Sequence, residues 1–207
     1  MKTQLPLALL AWLAAPLIAC AQPARPQVQQ AELVATYPHD EAAFTQGLFI
    51  HDGVLFESTG QVGQSSLRRV ELESGNVVQQ VDINPPVFGE GSARIGDAIY
   101  MLSWLSQTGM VFVTLNGRPV RRINELEWVG TEIWANIWQT SSIVRIDPQT
   151  GIVTGLVDLT GLLPAGLADP RDAVATGIAW NRETGQIYVT GKLWPVLYEI
   201  RLPDSAE

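Results

Sequence analysis

The stretch Gly47-Leu48-Phe49-Ile50-His51-Asp52-Gly53-Val54-Leu55-Phe56 sets two short apolar runs on either side of a His-Asp-Gly turn. Asp-Gly between β-branched and aromatic residues signals a β-hairpin, because these residues tolerate the backbone angles that a tight reversal requires. The same grammar returns along the chain. Glu73-Ser74-Gly75-Asn76, Asn116-Gly117-Arg118-Pro119 and Asp147-Pro148-Gln149-Thr150-Gly151 each separate β-rich runs. After residue 32 no stretch holds a helical period for three turns; the best candidate, Leu162 to Ala175, is interrupted by Pro164, Gly166 and Pro170. The expected fold class is all-β.

Aligning the turns gives a unit of roughly 35 to 50 residues, the period of propeller blades and other repeat arrays. Four units open at Phe44-Thr45-Gln46-Gly47-Leu48, at Phe88-Gly89-Glu90-Gly91-Ser92, between Leu115 and Glu127 with Asn124-Glu125-Leu126-Glu127, and at Ala175-Thr176-Gly177-Ile178-Ala179. Each opening leads from a small or polar patch into an apolar strand. In a β-propeller the first strand of each blade lines the central channel, so polar residues at matching positions converge there. The expected convergent set is Gln46, Glu90, Asn124 and Thr176.

At 207 residues with 46% apolar content the chain suits one domain with a real core once its N-terminal segment is set aside. Thirteen Lys+Arg against 21 Asp+Glu give a formal charge of -8. That balance, without any basic stripe, weighs against a nucleic-acid partner. One cysteine excludes an internal disulfide, and no Cys/His cluster has zinc-site spacing. Lys2 before an apolar run from Leu5 to Ile18 reads as a signal peptide, too short for a comfortable membrane span. Leu17-Ile18-Ala19-Cys20 fits a lipobox with Cys20 as the lipid attachment site, while Ala19-Cys20-Ala21 also fits ordinary signal-peptidase cleavage. The expected organisation is a signal at 1–20, a flexible linker at 21–31 and a propeller at 32–207, exported to the periplasm or anchored there as a lipoprotein.

Two charged residues stand out chemically. Glu90 lies between glycines behind Phe88, where an aromatic neighbour can dry the carboxylate and raise its pKa toward acid/base work; the alternative is a solvated turn glutamate. Lys192 is the lone lysine after Lys2, next to Leu193-Trp194, and can stabilise an oxyanion or simply lay its stem along the indole. In Trp134-Ala135-Asn136-Ile137-Trp138, alternation places both indoles and Asn136 on one face, either as a pocket wall with Trp104 or as blade packing. His39 and His51 each precede Asp at loop-like positions and make a poor metal pair or triad base. No nucleophile elbow, Walker loop or dinucleotide fingerprint occurs.

Taken in order, Tyr37-Pro38-His39-Asp40, Ala43-Phe44-Thr45-Gln46-Gly47-Leu48, Glu57-Ser58-Thr59-Gly60, Phe88-Gly89-Glu90-Gly91, Asn124-Glu125-Leu126-Glu127, Trp134 through Thr140 and Val189 through Pro195 resemble the plant/bacterial type of glutaminyl-peptide cyclotransferase. The resemblance runs from residue 32 to residue 202. It implies a five-bladed propeller that converts the N-terminal Gln of peptides to pyroglutamate with loss of ammonia, without a cofactor or a catalytic zinc; separately, a monomer is expected. It implies that Glu90 is the acid/base glutamate, with Lys192 beside it, and that Phe44, Gln46, Phe88, Trp104, Asn124 and Trp138 line the pocket. Only 20 positions separate Trp104 from Asn124, where the family carries about one further blade. Thr176 stands where the family usually has Asn. The alternative implied by the short span is a propeller that binds peptide N-termini without turnover, or a structural envelope lipoprotein.

Overall fold

The computed structural model describes residues 26–83, 87–95, 98–103, 113–167 and 172–203. Among them there is no helix; the elements are β1 (Gln27–Gln30), β2 (Glu32–Pro38), β3 (Thr45–His51), β4 (Val54–Thr59), β5 (Ser66–Val70), β6 (Val77–Asp82), β7 (Gly89–Ile95), β8 (Ala98–Ser103), β9 (Thr114–Leu115), β10 (Arg118–Pro119), β11 (Ile123–Val129), β12 (Glu132–Ile137), β13 (Ser142–Ile146), β14 (Val153–Asp158), β15 (Ala175–Trp180), β16 (Ile187–Gly191) and β17 (Val196–Arg201). The all-β expectation holds, and the Asp52-Gly53 hairpin joins β3 to β4 with both turn residues at positive φ.

The strands form antiparallel meanders. One sheet is β3-β4-β5-β6, one is β15-β16-β17-β2, one is β11-β12-β13-β14 with β1 added in parallel, and β7-β8 and β9-β10 are two-stranded. The four expected unit openings are the first strands β3, β7, β11 and β15. The second unit, however, carries two described strands where its neighbours carry four or more. Residues 104–112, which follow β8, lie outside the described residues.

The core sits between neighbouring sheets. Trp134, Ile143 and Val157 pack against Ile178, Val189, Trp194 and Ile200. Leu48, Leu55 and Val70 pack against Ala179, Tyr188 and Leu197. Ala135, Val144, Ile146 and Val153 meet the β9-β10 hairpin through Leu115 and Val120. Inner strands approach closely enough to need glycine: a Cβ on Gly47 would stand 2.9 Å from Gly91 Cα. The linker expectation is corrected in part. Gln27–Gln30 pair with Gly155–Asp158 as a fifth strand, and Ala31 is buried among the core side chains, because the backbone amides of this Gln-rich segment find partners on the open edge of β14. The expected signal and Cys20 lie outside the described residues.

Candidate active site

A four-stranded meander fixes which residues can meet. Each inner strand starts at one end of the ring, and the turn between the second and third strands returns to that same end. The starts of β3, β7 and β11 therefore share an end with the turns after β4, β12 and β16. Phe44, Gln46, Glu90, Asn124, Trp138 and Lys192 all belong to this end.

Five of the expected residues form a connected group. The Lys192 Nζ stands 4.3 Å from the centroid of the Phe44 ring, a cation–π distance. The Phe44 and Phe88 rings meet edge to face at 6.1 Å. Phe88 and the Gln46 stem close over Gly60, where a Cβ would stand 2.6 Å from the Phe88 ring and 3.0 Å from Gln46 Cγ. Glu90 is half-buried, and burial raises its carboxyl pKa while the Lys192 charge partly opposes the rise. Lys192 is buried; desolvation lowers its pKa, opposed by Glu90 and Asp172. Partial burial of Glu90 and the nearby Lys192 charge thus act on its carboxyl in opposite directions.

The backbone around the group is held by specific bonds. Leu193, at φ 60, occupies the left-handed region that side-chain-bearing residues seldom adopt, and its amide donates to the Ala43 carbonyl at 2.9 Å. The Lys192 amide donates to the Val174 carbonyl at 3.0 Å. Ser65 Oγ accepts from the Gly89 amide at 2.9 Å and donates to the Gln61 carbonyl at 2.8 Å, which ties the start of β7 to the turn after β4. Gln46 Oε1 and Asn124 Nδ2 are among the buried side-chain amide atoms of the described residues that have no hydrogen-bond partner. An acceptor and a donor left open at the hub suit a polar ligand, since an unpaired buried polar atom otherwise costs about 1–3 kcal/mol.

Other expected residues take different places. Thr176 is buried and donates its hydroxyl to the Thr45 carbonyl at 2.9 Å, so it braces two inner strands. Trp134 is a core side chain, the packing alternative, with the Arg145 guanidinium 5.8 Å from its ring. Trp138 lies in the turn after β12, 40% exposed, with the Arg122 guanidinium 5.9 Å from its ring. Trp104 lies outside the described residues. Sequence reasoning missed the buried group beneath the site: His39, Thr45, Glu57 and Arg68. Its trace in the sequence was that His39, Thr45 and Glu57 belong to the quoted motifs, while the contacts of His39 span 18 and 155 positions.

An all-β ring with a glutamate–lysine pair beside phenyl rings at one end of its hub defines a propeller with a candidate acid/base site. A sequence profile described as "Glutamine cyclotransferase" matches residues 5–113 and 105–202. A glutaminyl-peptide cyclotransferase from Arabidopsis thaliana is 33% identical over 237 positions, covering 87% of this chain and 73% of the relative. The crystal structure of Myxococcus xanthus glutaminyl cyclase superposes with a TM-score of 0.78 at 34% identity, covering 86% of this chain and 98% of that one. The chain belongs to the glutamine cyclotransferase family. The two profile matches meet at residues 105–113, and the alignment with the plant relative is longer than the 207-residue chain, so the relative carries segments that this chain lacks.

Proposed function

We propose that this protein is a glutaminyl-peptide cyclotransferase that closes the N-terminal Gln of peptides to pyroglutamate and releases ammonia. The neutral α-amine attacks the side-chain Cδ, its proton passes to the Glu90 carboxylate, and Glu90 returns that proton to the departing amide nitrogen as the C–N bond breaks. Lys192 supports the oxygen charge that develops on Cδ. Gln46 and Asn124 hold the substrate's polar groups, and Phe44 and Phe88 wall the pocket. Because both reacting groups belong to one residue, holding it folded supplies much of the rate as orientation. The observation that carries this reading is the half-buried Glu90 coupled to Lys192 beside the paired Phe44 and Phe88 rings.

Incubating a Gln-initiated peptide with the purified protein should yield the mass loss of one ammonia, and Glu90→Gln should abolish it. No turnover above background, or full activity in Glu90→Gln, overturns the reading. The short span before Asn124 favours a second reading, a peptide-terminus binder without turnover, for which titration would show binding but no ammonia. The protein acts as an exported monomer without a nucleic-acid partner, lipidated at Cys20. Incorporation of labelled palmitate that disappears in Cys20→Ser would support the anchor, and its absence in the parent would remove it.

A further inference from the structure

His39 follows β2 and lies beneath both arms of the site. Its ring Nδ1 is 2.6 Å from the Trp194 carbonyl oxygen and its Nε2 is 3.0 Å from Glu57 Oε1, with the His39 and Glu57 side chains 3% and 2% exposed. A carbonyl only accepts, so Nδ1 carries a hydrogen. Glu57 Oε1 already accepts from Thr45 Oγ1 at 2.7 Å, and Arg68 Nη1 lies 3.8 Å from the other oxygen, so Glu57 is an ionised acceptor and Nε2 also donates. The charged groups facing the ring are Glu57 from β4, Arg68 from β5 and Asp40 from its own segment, with Arg68 Nη1 donating to Asp40 Oδ2 at 2.9 Å. With an imidazolium, two positive and two negative charges balance. With a neutral ring, the buried Glu57 is left facing only the Arg68 guanidinium at 3.8 Å, which is itself shared with the 37% exposed Asp40.

The cluster's attachments are what connect it to the site. Thr45 stands between Phe44 and Gln46, and Trp194 is two residues beyond Lys192 in the turn whose Leu193 is pinned to Ala43. We propose that His39 is a positioning residue: as a doubly protonated imidazolium it clamps the strand presenting Phe44 and Gln46 to the turn presenting Lys192, and the site keeps its geometry while that ring is charged. This rests on the function proposed above. Burial by itself disfavours the ring charge, but the hydrogen bond and charge of Glu57, the Trp194 carbonyl and Asp40 together outweigh it, so His39 titrates above the ordinary histidine range. The clamp is therefore complete below about pH 6.5, the ordinary value. It loosens as pH rises through the higher value of the folded protein.

The chain has two histidines, so ring-nitrogen NMR gives two pairs of signals, and His51→Gln assigns them. At pH 7 His39 should show two ring N–H groups, and the backbone amides of Gln46 and Lys192 should titrate together with it. In Glu57→Gln the ring should lose one proton near neutral pH. The alkaline limb of kcat/KM should move to lower pH, with activity at pH 8 reduced on the order of 10-fold, while the acid limb stays in place. A structural role alone would lower the melting temperature without moving that limb. A neutral His39 at pH 7, Gln46 and Lys192 amides indifferent to its titration, or an unshifted alkaline limb in Glu57→Gln would each overturn the clamp. If the parent protein shows no turnover, the proposed function fails, and the ring and amide titrations still decide the clamp.

Discussion

Lys192 acts on Glu90 through charge, and this has a measurable sign. The ammonium opposes the burial that raises the Glu90 pKa, so Lys192→Met leaves burial unopposed and moves the acid limb of the remaining activity to higher pH. A pH–rate profile of the variant checks this; an unmoved limb would separate the two residues. Gly60→Ala places a methyl 2.6 Å from the edge of the Phe88 ring, so the variant should lose about 1–3 kcal/mol in urea titrations, with turnover falling as Phe88 is displaced. Glu90 and Lys192 were legible from sequence as isolated chemical oddities. His39 was not, because a histidine's neighbours along the chain say nothing of a carbonyl brought to it from 155 positions away.

At the scale of elements, hairpin turns announced most strands, since turn chemistry is local. Two features escaped that reading. β1 reads as linker in the sequence because a Gln-rich segment carries no strand period, and its pairing depends on an edge 128 positions further on. β2 completes the sheet of the last three strands, joining the start of the chain to its end. Truncations separate the two contributions. Removing residues through 31 takes away one edge strand and should lower the melting temperature while leaving a cooperative transition. Removing residues through 38 also uncovers β17 and withdraws Tyr37 from the core around Tyr188 and Leu197, and circular dichroism should then show no cooperative melt.

Across the whole molecule, the ring has a second end. There a cavity of about 490 Å³ is lined by Phe49, His51, Arg94, Glu127, Trp180 and Arg182. Burial pushes the Glu127 carboxyl up to about 8, although its Oε1 accepts from the Trp180 amide at 3.3 Å. Because the folded value exceeds the unfolded one, the native state holds this proton more tightly, and stability falls as pH rises from about 4.5 through 8. Glu127→Gln should raise the melting temperature at pH 8.5 and do much less at pH 5, with an upper bound of about 5 kcal/mol at the alkaline end. Equal effects at both pH values would contradict this. The repeat and its four openings were legible because blade grammar recurs, and the short span between Trp104 and Asn124 was legible from spacing alone.

The first described residues lie across two sheets in succession, β1 along β14 and then, past the buried Ala31, β2 along β17. A pull entering at residue 26 and directed along these strands would load both ladders in shear, so that rows of hydrogen bonds resist together instead of unzipping singly. The outermost layer of the ring is thereby also its strap, and force-extension measurements from this end should meet greater resistance than a pull that peels β6 from its sheet.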